Sequence, residues 1–400
     1  MIVLAGGDVV LPDRILTAAS LVISGGHIVA IDPRPRVEPA GATVIDLSDS
    51  FVVPGFIDVH VHGVDGRDTL DGAGAVPFIA SRLPRYGVTA FCPTSVACTP
   101  ADLAMFVGQV RASRTMRPAG SARVLPAHLE SNFINPEFRG AQPAACLRSP
   151  AARAFDAGHA NPTGIFTATD ILDVIAAARP DVGIITLAPE IDGGIDLVRD
   201  LVAAGHRVSL GHSGADFDTA IAAIEAGARH ATHLFNRMSP MTHRAPGLPG
   251  AVLAREDIAA ELICDGFHVH PAMGRVTIAA KGAGGVMAIT DGTAGSGMSA
   301  GSAARLGGQP IEVREHGAFL ADGTLAGSTL TMDRAFRNIV TVFQQSIVDA
   351  ALLCATTAAR ELGLTGLGVI ADGAVADLAV LDRGFRVART FVDGVEVFRG

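Results

Sequence analysis

Lysine is almost absent from this chain: of its 31 basic residues only Lys281 is a lysine, and the rest are arginines. No G-x-x-x-x-G-K-[ST] stretch occurs, which removes phosphate binding of the P-loop kind. Schiff-base chemistry is left with Lys281 alone, in a stretch that reads as helix. Paired cysteines are lacking too. The five present (Cys92, Cys98, Cys146, Cys264 and Cys354) are odd in number and show no C-x-x-C spacing. Reduced buried thiols are expected, rather than a disulfide framework or a thiolate zinc site. Positive charge is also in deficit, since 40 acidic residues against 31 basic ones give −9, the wrong sign for a protein that works on a phosphate backbone. Mean hydropathy is positive at +0.38. Yet no apolar run approaches the roughly 20 residues that cross a bilayer. Residues 1–5 carry no basic lead and run into Gly6-Gly7-Asp8, so no signal peptide is expected and a cytoplasmic location is.

What the chain does have is a large apolar fraction, 49% of 400 residues, cut into short runs. Up to about residue 53 these runs are β-branched and separated by turn residues, as in Leu21-Val22-Ile23-Ser24-Gly25-Gly26-His27-Ile28-Val29, which reads as hairpins. The same pattern returns near the end, in 369–381 and 390–398. Neither end has enough apolar faces to close a core alone, so residues 1–53 and 358–400 are expected to form one small β-sandwich domain from both termini.

Between them, in 54–357, short apolar strands alternate with amphipathic helical stretches. Strands are expected at 51–59, 86–93, 123–130, 183–189, 207–212, 230–235, 259–265 and 285–291, with helices such as 195–204, 216–227, 271–282 and 330–347. This rhythm predicts an α/β fold, a (β/α)8 TIM-like barrel, since an open sheet of that many parallel strands would be unusually large while a closed one has no edges. The Gly- and Ser-rich stretch 292–308 reads as a mobile loop after the last strand.

Chemistry gathers at the expected strand ends. His60 and His62 are two apart after the first strand, so both imidazoles can face one way. Glu130 ends the third strand, His212 the fifth, His233 lies in the sixth and Asp291 ends the eighth. A barrel brings its strand ends to one rim, so residues spread over 230 positions would meet there. Imidazole and carboxylate donors without thiolate suit Zn, Fe or Mn at an open catalytic site. Such a set exceeds one tetrahedral ion, so either two ions share a bridge, for which Glu130 is suited, or one residue does other work. A carbamylated lysine bridge has no candidate, because Lys281 lies on a helix. His128 shares the face of Glu130 and reads as support rather than ligand. Asn236, Arg237, His243, Arg244 and His268 form a second group suited to gripping phosphate or carboxylate.

These residues carry a resemblance. Pro54-Gly55-Phe56-Ile57-Asp58-Val59-His60-Val61-His62-Gly63, His128-Leu129-Glu130, Ala188-Pro189-Glu190, Gly211-His212-Ser213, Thr232-His233-Leu234-Phe235-Asn236, Asp265-Gly266-Phe267-His268, Thr290-Asp291 and Leu325-Ala326-Gly327-Ser328 follow in order along essentially the whole chain. Together they resemble the N-acetylglucosamine-6-phosphate deacetylases of the amidohydrolase superfamily. The resemblance implies a barrel with a two-ended sandwich, and one or two divalent ions, Zn or Fe. By it, Glu130, His212 and His233 would hold the common ion, and His60, His62 and Asp291 a second. Asp291 would also be the catalytic acid and base, taking a proton from water and returning it to the leaving amine. Asn236, Arg237, Arg244, His268 and Gln142 would bind substrate, His268 from the neighbouring subunit of a homodimer. The implied substrate is an amino-sugar phosphate, with no nucleic acid or membrane partner.

One departure stands out. The family usually has Gly-Pro after the glutamate, where this chain has Ser131-Asn132-Phe133, so the loop is expected to take another path and to present a hydroxyl and an amide to the substrate. The same chemistry on N-acetylgalactosamine 6-phosphate, an unphosphorylated N-acyl sugar or an N-acyl amino acid is the nearest alternative. A cyclic amidine deaminase and a non-catalytic binding barrel stand further off.

Overall fold

The structure, a computed structural model, describes residues 1–33, 41–151 and 166–400. The barrel strands are Phe56–Val61, Val88–Ser95, Ala127–Glu130, Val182–Leu187, Arg207–Leu210, His230–Ala231, Ala259–Ile263 and Val286–Ile289, each parallel to the next. The ring closes from the last strand to the first where His62 N donates to Gly292 O at 2.9 Å and Asp291 N to His60 O at 3.0 Å. Almost every residue of these strands is buried, as expected of parallel strands with helices outside and packed side chains within.

From the fourth on, the expected strands run too long at their C-terminal ends, while the first two stop two residues short. The sixth stops at Ala231 and the fifth at Leu210, so His233 lies beyond its strand rather than in it, and His212 and Asp291 sit two residues past theirs. The reason is backbone conformation: His212, His233 and Asp291 have φ of 49°, 30° and 48°, left-handed values that end a strand whatever the side-chain pattern.

The outer helices follow elementary signals. Thr99 caps Pro100–Thr115, Asp216 caps Phe217–Glu225, and Thr167 with Asp170 forms a capping box on Ala168–Ala177. Helix Met332–Thr341 buries Met332, Ala335, Phe336 and Ile339, one face at helical spacing. No described helix is long and apolar enough to cross a membrane.

The chain ends build one separate sheet, ordered Val395–Arg399, Val387–Val392, Leu378–Leu381, Phe51–Pro54, Ile2–Val10, Ile15–Ser24, His27–Asp32. Its first strand pairs with Thr43–Asp46 at its start and with Phe51 and Val52 at its end. The switch falls at Gly6-Gly7, where the register shifts and Gly6 has φ 79°. Leu4, Leu21, Ile23, Ile28, Val380 and Phe391 form its core. The chain passes from this sheet to the barrel at Gly55. At the other end a division after residue 357 would cut the helical run that continues through Thr357–Glu361 and packs on the first and last barrel strands. We therefore propose that the barrel unit extends to Glu361.

A stack of rings joins the two units. Phe56 lies 5.4 Å from Phe336, Phe336 5.9 Å from Phe385, and Phe385 5.6 Å from Phe51. Gly87, at φ 77°, is required beneath Phe56, since a Cβ there would come within 2.7 Å of the ring. Arg123 adds a polar tie, donating to Asp393 at 2.7 Å and Asp377 at 3.4 Å.

Within the stretch 292–308, expected to be a mobile loop, the structure places one strand, Ala303–Leu306. Ala303–Leu306, Gln309–Arg314 and Gly317–Phe319 form an antiparallel sheet over Val96, Leu306, Ile311 and Ala318. Alternating burial along 309–314 makes this a strand, and Gln309 Nε2 pins it to Ala141 O at 2.8 Å. Phe336→Ala is expected to destabilise the protein by about 3–5 kcal/mol, measured by denaturant titration; a loss below about 1 kcal/mol, the scale of a surface change, would contradict this account of the seam.

Candidate metal centre

His60, His62, Glu130, His212, His233 and Asp291 do meet at the C-terminal rim, and all are buried. Glu130 stands between two groups of imidazoles. Its Oε1 lies 2.8 Å from His212 Nε2 and 2.8 Å from His233 Nε2, and those two nitrogens are 3.2 Å apart. On the other side His60 Nε2 and His62 Nε2 are 3.2 Å apart, with Asp291 Oδ1 at 3.4 and 3.3 Å and Glu130 Oε2 at 3.4 Å from His62. Ring nitrogens facing one another across shared carboxylate oxygens are the donor set of a divalent cation. The residues therefore fit a metal. Cys92, Cys98, Cys146, Cys264 and Cys354 are buried and unpaired, and none belongs to these groups.

The layer behind aims these donors. His212 Nδ1 donates to Phe138 O at 2.8 Å, which leaves its Nε2 for the centre. His60 Nδ1 is 3.0 Å from Glu261 Oε2. Asp58 accepts from Thr290 Oγ1 at 2.6 Å and from His60 N at 3.3 Å, tying the first strand to the last. Glu190 accepts from Ser213 Oγ at 2.7 Å, Gly214 N at 2.6 Å and Asn135 Nδ2 at 2.8 Å, and so holds the turn after His212. His128 has both nitrogens engaged, by Val59 O at 2.9 Å and Thr186 Oγ1 at 2.8 Å, and supports rather than faces the centre.

The electrostatics follow from burial against charge. Burial alone would disfavour charge on His62, but hydrogen bonds and charge from Asp291 and Glu130 outweigh it and raise its pKa to about 10. His233 is raised to about 9 in the same way, by Glu130 above all, against its burial. His60 goes the other way, lowered to about 3 because burial dominates. Glu130 and Asp291 both lie below the usual carboxylate range; burial opposes this, and the neighbouring imidazoles prevail. Asp58 is pushed up to about 7 by burial.

The expectation for Ser131-Asn132 is overturned. Ser131 Oγ donates to Thr186 O at 2.5 Å, and Asn132 Nδ2 donates to Cys98 O and Cys146 O at 2.7 Å each. Both side chains are buried, and the Ser131 hydroxyl and the Asn132 amide nitrogen are spent on backbone carbonyls of the fourth barrel strand and of neighbouring loops, so these donors brace the loop rather than face a substrate. Gln142 is likewise buried: its Nε2 donates to Glu130 Oε2, and its Oε1 accepts from Ala97 N at 2.7 Å.

The second group is spread along the rim. Asn236 Nδ2 donates to His233 O at 3.2 Å, and Arg237 is exposed beside Gly140. His243 and Arg244 sit in an exposed turn closed by Thr242 N to Ala245 O at 3.0 Å. His268 is held by Asp265, with Nδ1 to Oδ2 at 2.5 Å, and its Nε2 has no partner among the described residues. Sequence reasoning missed Glu261, Asp58 and Glu190 as supports of the centre. A single carboxylate inside Ala-Ala-Glu-Leu-Ile was the available signal for Glu261.

Comparison with known proteins agrees with this geometry. Residues 51–397 match the model of the Amidohydrolase family. N-acetylglucosamine-6-phosphate deacetylase of Bacillus subtilis (strain 168) is 32% identical over 96% of this chain and 94% of its own. N-acetylgalactosamine-6-phosphate deacetylase of Escherichia coli O157:H7 is 33% identical over 94% and 93%. The fold matches N-acetyl-D-glucosamine-6-phosphate deacetylase of Mycobacterium smegmatis, solved in complex with N-acetyl-D-glucosamine-6-phosphate, with TM-score 0.86 and 32% identity over 99% of each chain. With a barrel, a two-ended sheet and a buried cluster of imidazoles and carboxylates at its mouth, this chain belongs to the amidohydrolase family of metal-dependent hydrolases.

Proposed function

We propose that the chain hydrolyses the N-acetyl group of N-acetylglucosamine 6-phosphate, giving glucosamine 6-phosphate and acetate. The observation that carries this reading is the meeting of His60, His62, Glu130, His212, His233 and Asp291 at the mouth of a barrel whose relatives bear that activity in their names. Glu130, His212 and His233 would hold one divalent ion, and His60, His62 and Asp291, with Glu130 as bridge, a second. Nitrogen and oxygen donors without thiolate suit Zn or Fe. When bound, such an ion acidifies a water and polarises an acyl oxygen.

The chain's own residues do the rest. Asp291, ionised at neutral pH under the influence of His60 and His62, accepts the proton of the attacking water at its carboxylate. It then delivers that proton to the amide nitrogen, which leaves only as an amine. Gln142, for which a substrate-binding role is proposed, also steadies Glu130 through Oε2. Arg244, with no side-chain partner among the described residues, is free to pair with a phosphate, and Asn236, Arg237 and His268 border the same rim. The reading includes a cytoplasmic homodimer, as in the family resembled. A second reading, the same reaction on N-acetylgalactosamine 6-phosphate, is favoured by the Escherichia coli relative that carries that name.

Two measurements test this. At pH 7.5 the raised pKa values of about 10 for His62 and about 9 for His233 mean that both rings carry protons an incoming cation must displace. Metal binding is therefore expected to release protons and to weaken as pH falls; calorimetry in buffers of different ionisation enthalpy reads the release, and a zero value would contradict the ligand assignment. In the second, Asp291→Asn is expected to lower kcat on N-acetylglucosamine 6-phosphate by at least about 100-fold. Arg244→Ala is expected to raise KM for the phosphorylated sugar and leave N-acetylglucosamine nearly unaffected. Near-normal turnover by the first variant, or preference of the wild type for N-acetylgalactosamine 6-phosphate, would displace the reading.

A further inference from the structure

Glu261 is a fully buried carboxylate on the seventh barrel strand, Ala259–Ile263, flanked along the strand by apolar residues, with His128 Nδ1 3.9 Å from its Oε1. Packing alone does not call for it. Its Oε1 has no hydrogen-bond partner among the described residues, an arrangement that costs free energy. Its Oε2, by contrast, meets both halves of the metal centre, at 3.0 Å from His60 Nδ1 and 3.4 Å from the backbone N of His233.

We infer that Glu261 is the positioning residue that makes His60 a metal ligand. A neutral imidazole carries one proton, and the nitrogen that keeps it cannot bind a cation. Glu261 takes that proton's hydrogen bond at Nδ1 and so leaves the Nε2 lone pair facing His62 Nε2 at 3.2 Å and Asp291 Oδ1 at 3.4 Å. Glu261 Oε2 is the hydrogen-bond partner of His60 Nδ1 among the described residues. Among the described residues, His60 alone of the imidazoles of the centre is backed by a carboxylate. His212 leans on the neutral carbonyl of Phe138, and Nδ1 of His62 and of His233 has no partner among the described residues. A carboxylate behind a ligand both fixes the tautomer and raises the basicity of the far nitrogen. The affinity of the His60 side of the centre is therefore set from the seventh strand, by a residue that touches neither ion nor substrate.

The inference rests on His60 being a ligand, and its test separates the two. Zn2+ affinity is measured by competition with a chromophoric chelator for the full-length protein, Glu261→Gln, Glu261→Leu, His60→Ala and the double variant of His60→Ala with Glu261→Gln. Glu261→Gln keeps the shape and an acceptor but loses the charge; it is expected to weaken Zn2+ binding about 10-fold, with the thermal midpoint of the metal-free protein unchanged. Glu261→Leu, which loses the acceptor as well, is expected to weaken it further, up to about 100-fold. In the His60→Ala background Glu261→Gln is expected to add nothing. Unchanged affinity in Glu261→Gln, or a loss of equal size in the His60→Ala background, would overturn the role of Glu261. Unchanged affinity in His60→Ala itself would instead remove His60 from the ligands, and the inference with it.

Discussion

Imidazole nitrogens that face each other at 3.2 Å, on both sides of one buried glutamate, set the terms for the rest of this structure. Such a cluster satisfies itself only by holding protons or a cation between its donors. The raised pKa values of His62 and His233, and the lowered ones of Glu130 and Asp291, express the same demand from two sides: carboxylates seek positive charge, and rings supply it. A divalent ion held by these residues would meet that demand, and would supply the charge that acidifies a water and polarises an acyl oxygen.

The barrel supplies the geometry at a conformational cost. His212, His233 and Asp291 all sit just beyond their strands with positive φ, as do Phe235 and Arg237. Each such residue costs on the order of 1–3 kcal/mol unless its surroundings hold it. Those surroundings are visible: Glu190 on the turn after His212, Glu261 under His233, and the link of Asp291 N to His60 O across the closure of the ring. The terminal sheet brings Phe51 and Phe385 to the aromatic seam, against Phe56 of the first barrel strand and Phe336 of an outer helix, and so braces the barrel where that strand begins.

Much of this was legible in the residues. Short apolar strands alternating with amphipathic helices read as a barrel, and histidines and acids at the ends of those strands read as one rim, because closed parallel sheets bring all their C-terminal ends together. The exact strand ends were not legible, since left-handed turns at His212, His233 and Asp291 leave no mark on hydrophobic periodicity. The replacement of the family's Gly-Pro by Ser131-Asn132 points to a rerouted loop that shows a hydroxyl and an amide to the substrate; only the packed structure reveals the carbonyls of Thr186, Cys98 and Cys146 that claim them. Strand Ala303–Leu306 is not announced by the sequence for a related reason: it lies in the Gly-, Ser- and Ala-rich stretch 292–308, whose composition gives a strand little to mark it. Glu261 escaped notice because its single charge lies in an apolar strand with no motif around it.

The central claim is that Glu130, His212 and His233 close on one cation, with His60, His62 and Asp291 gathered on its far side. Anomalous diffraction from crystals grown with Zn2+ tests it most directly. The account predicts a peak about 2.0–2.2 Å from a Glu130 oxygen and from Nε2 of both His212 and His233. A peak held by other residues, or none at this rim in fully loaded protein, would contradict it.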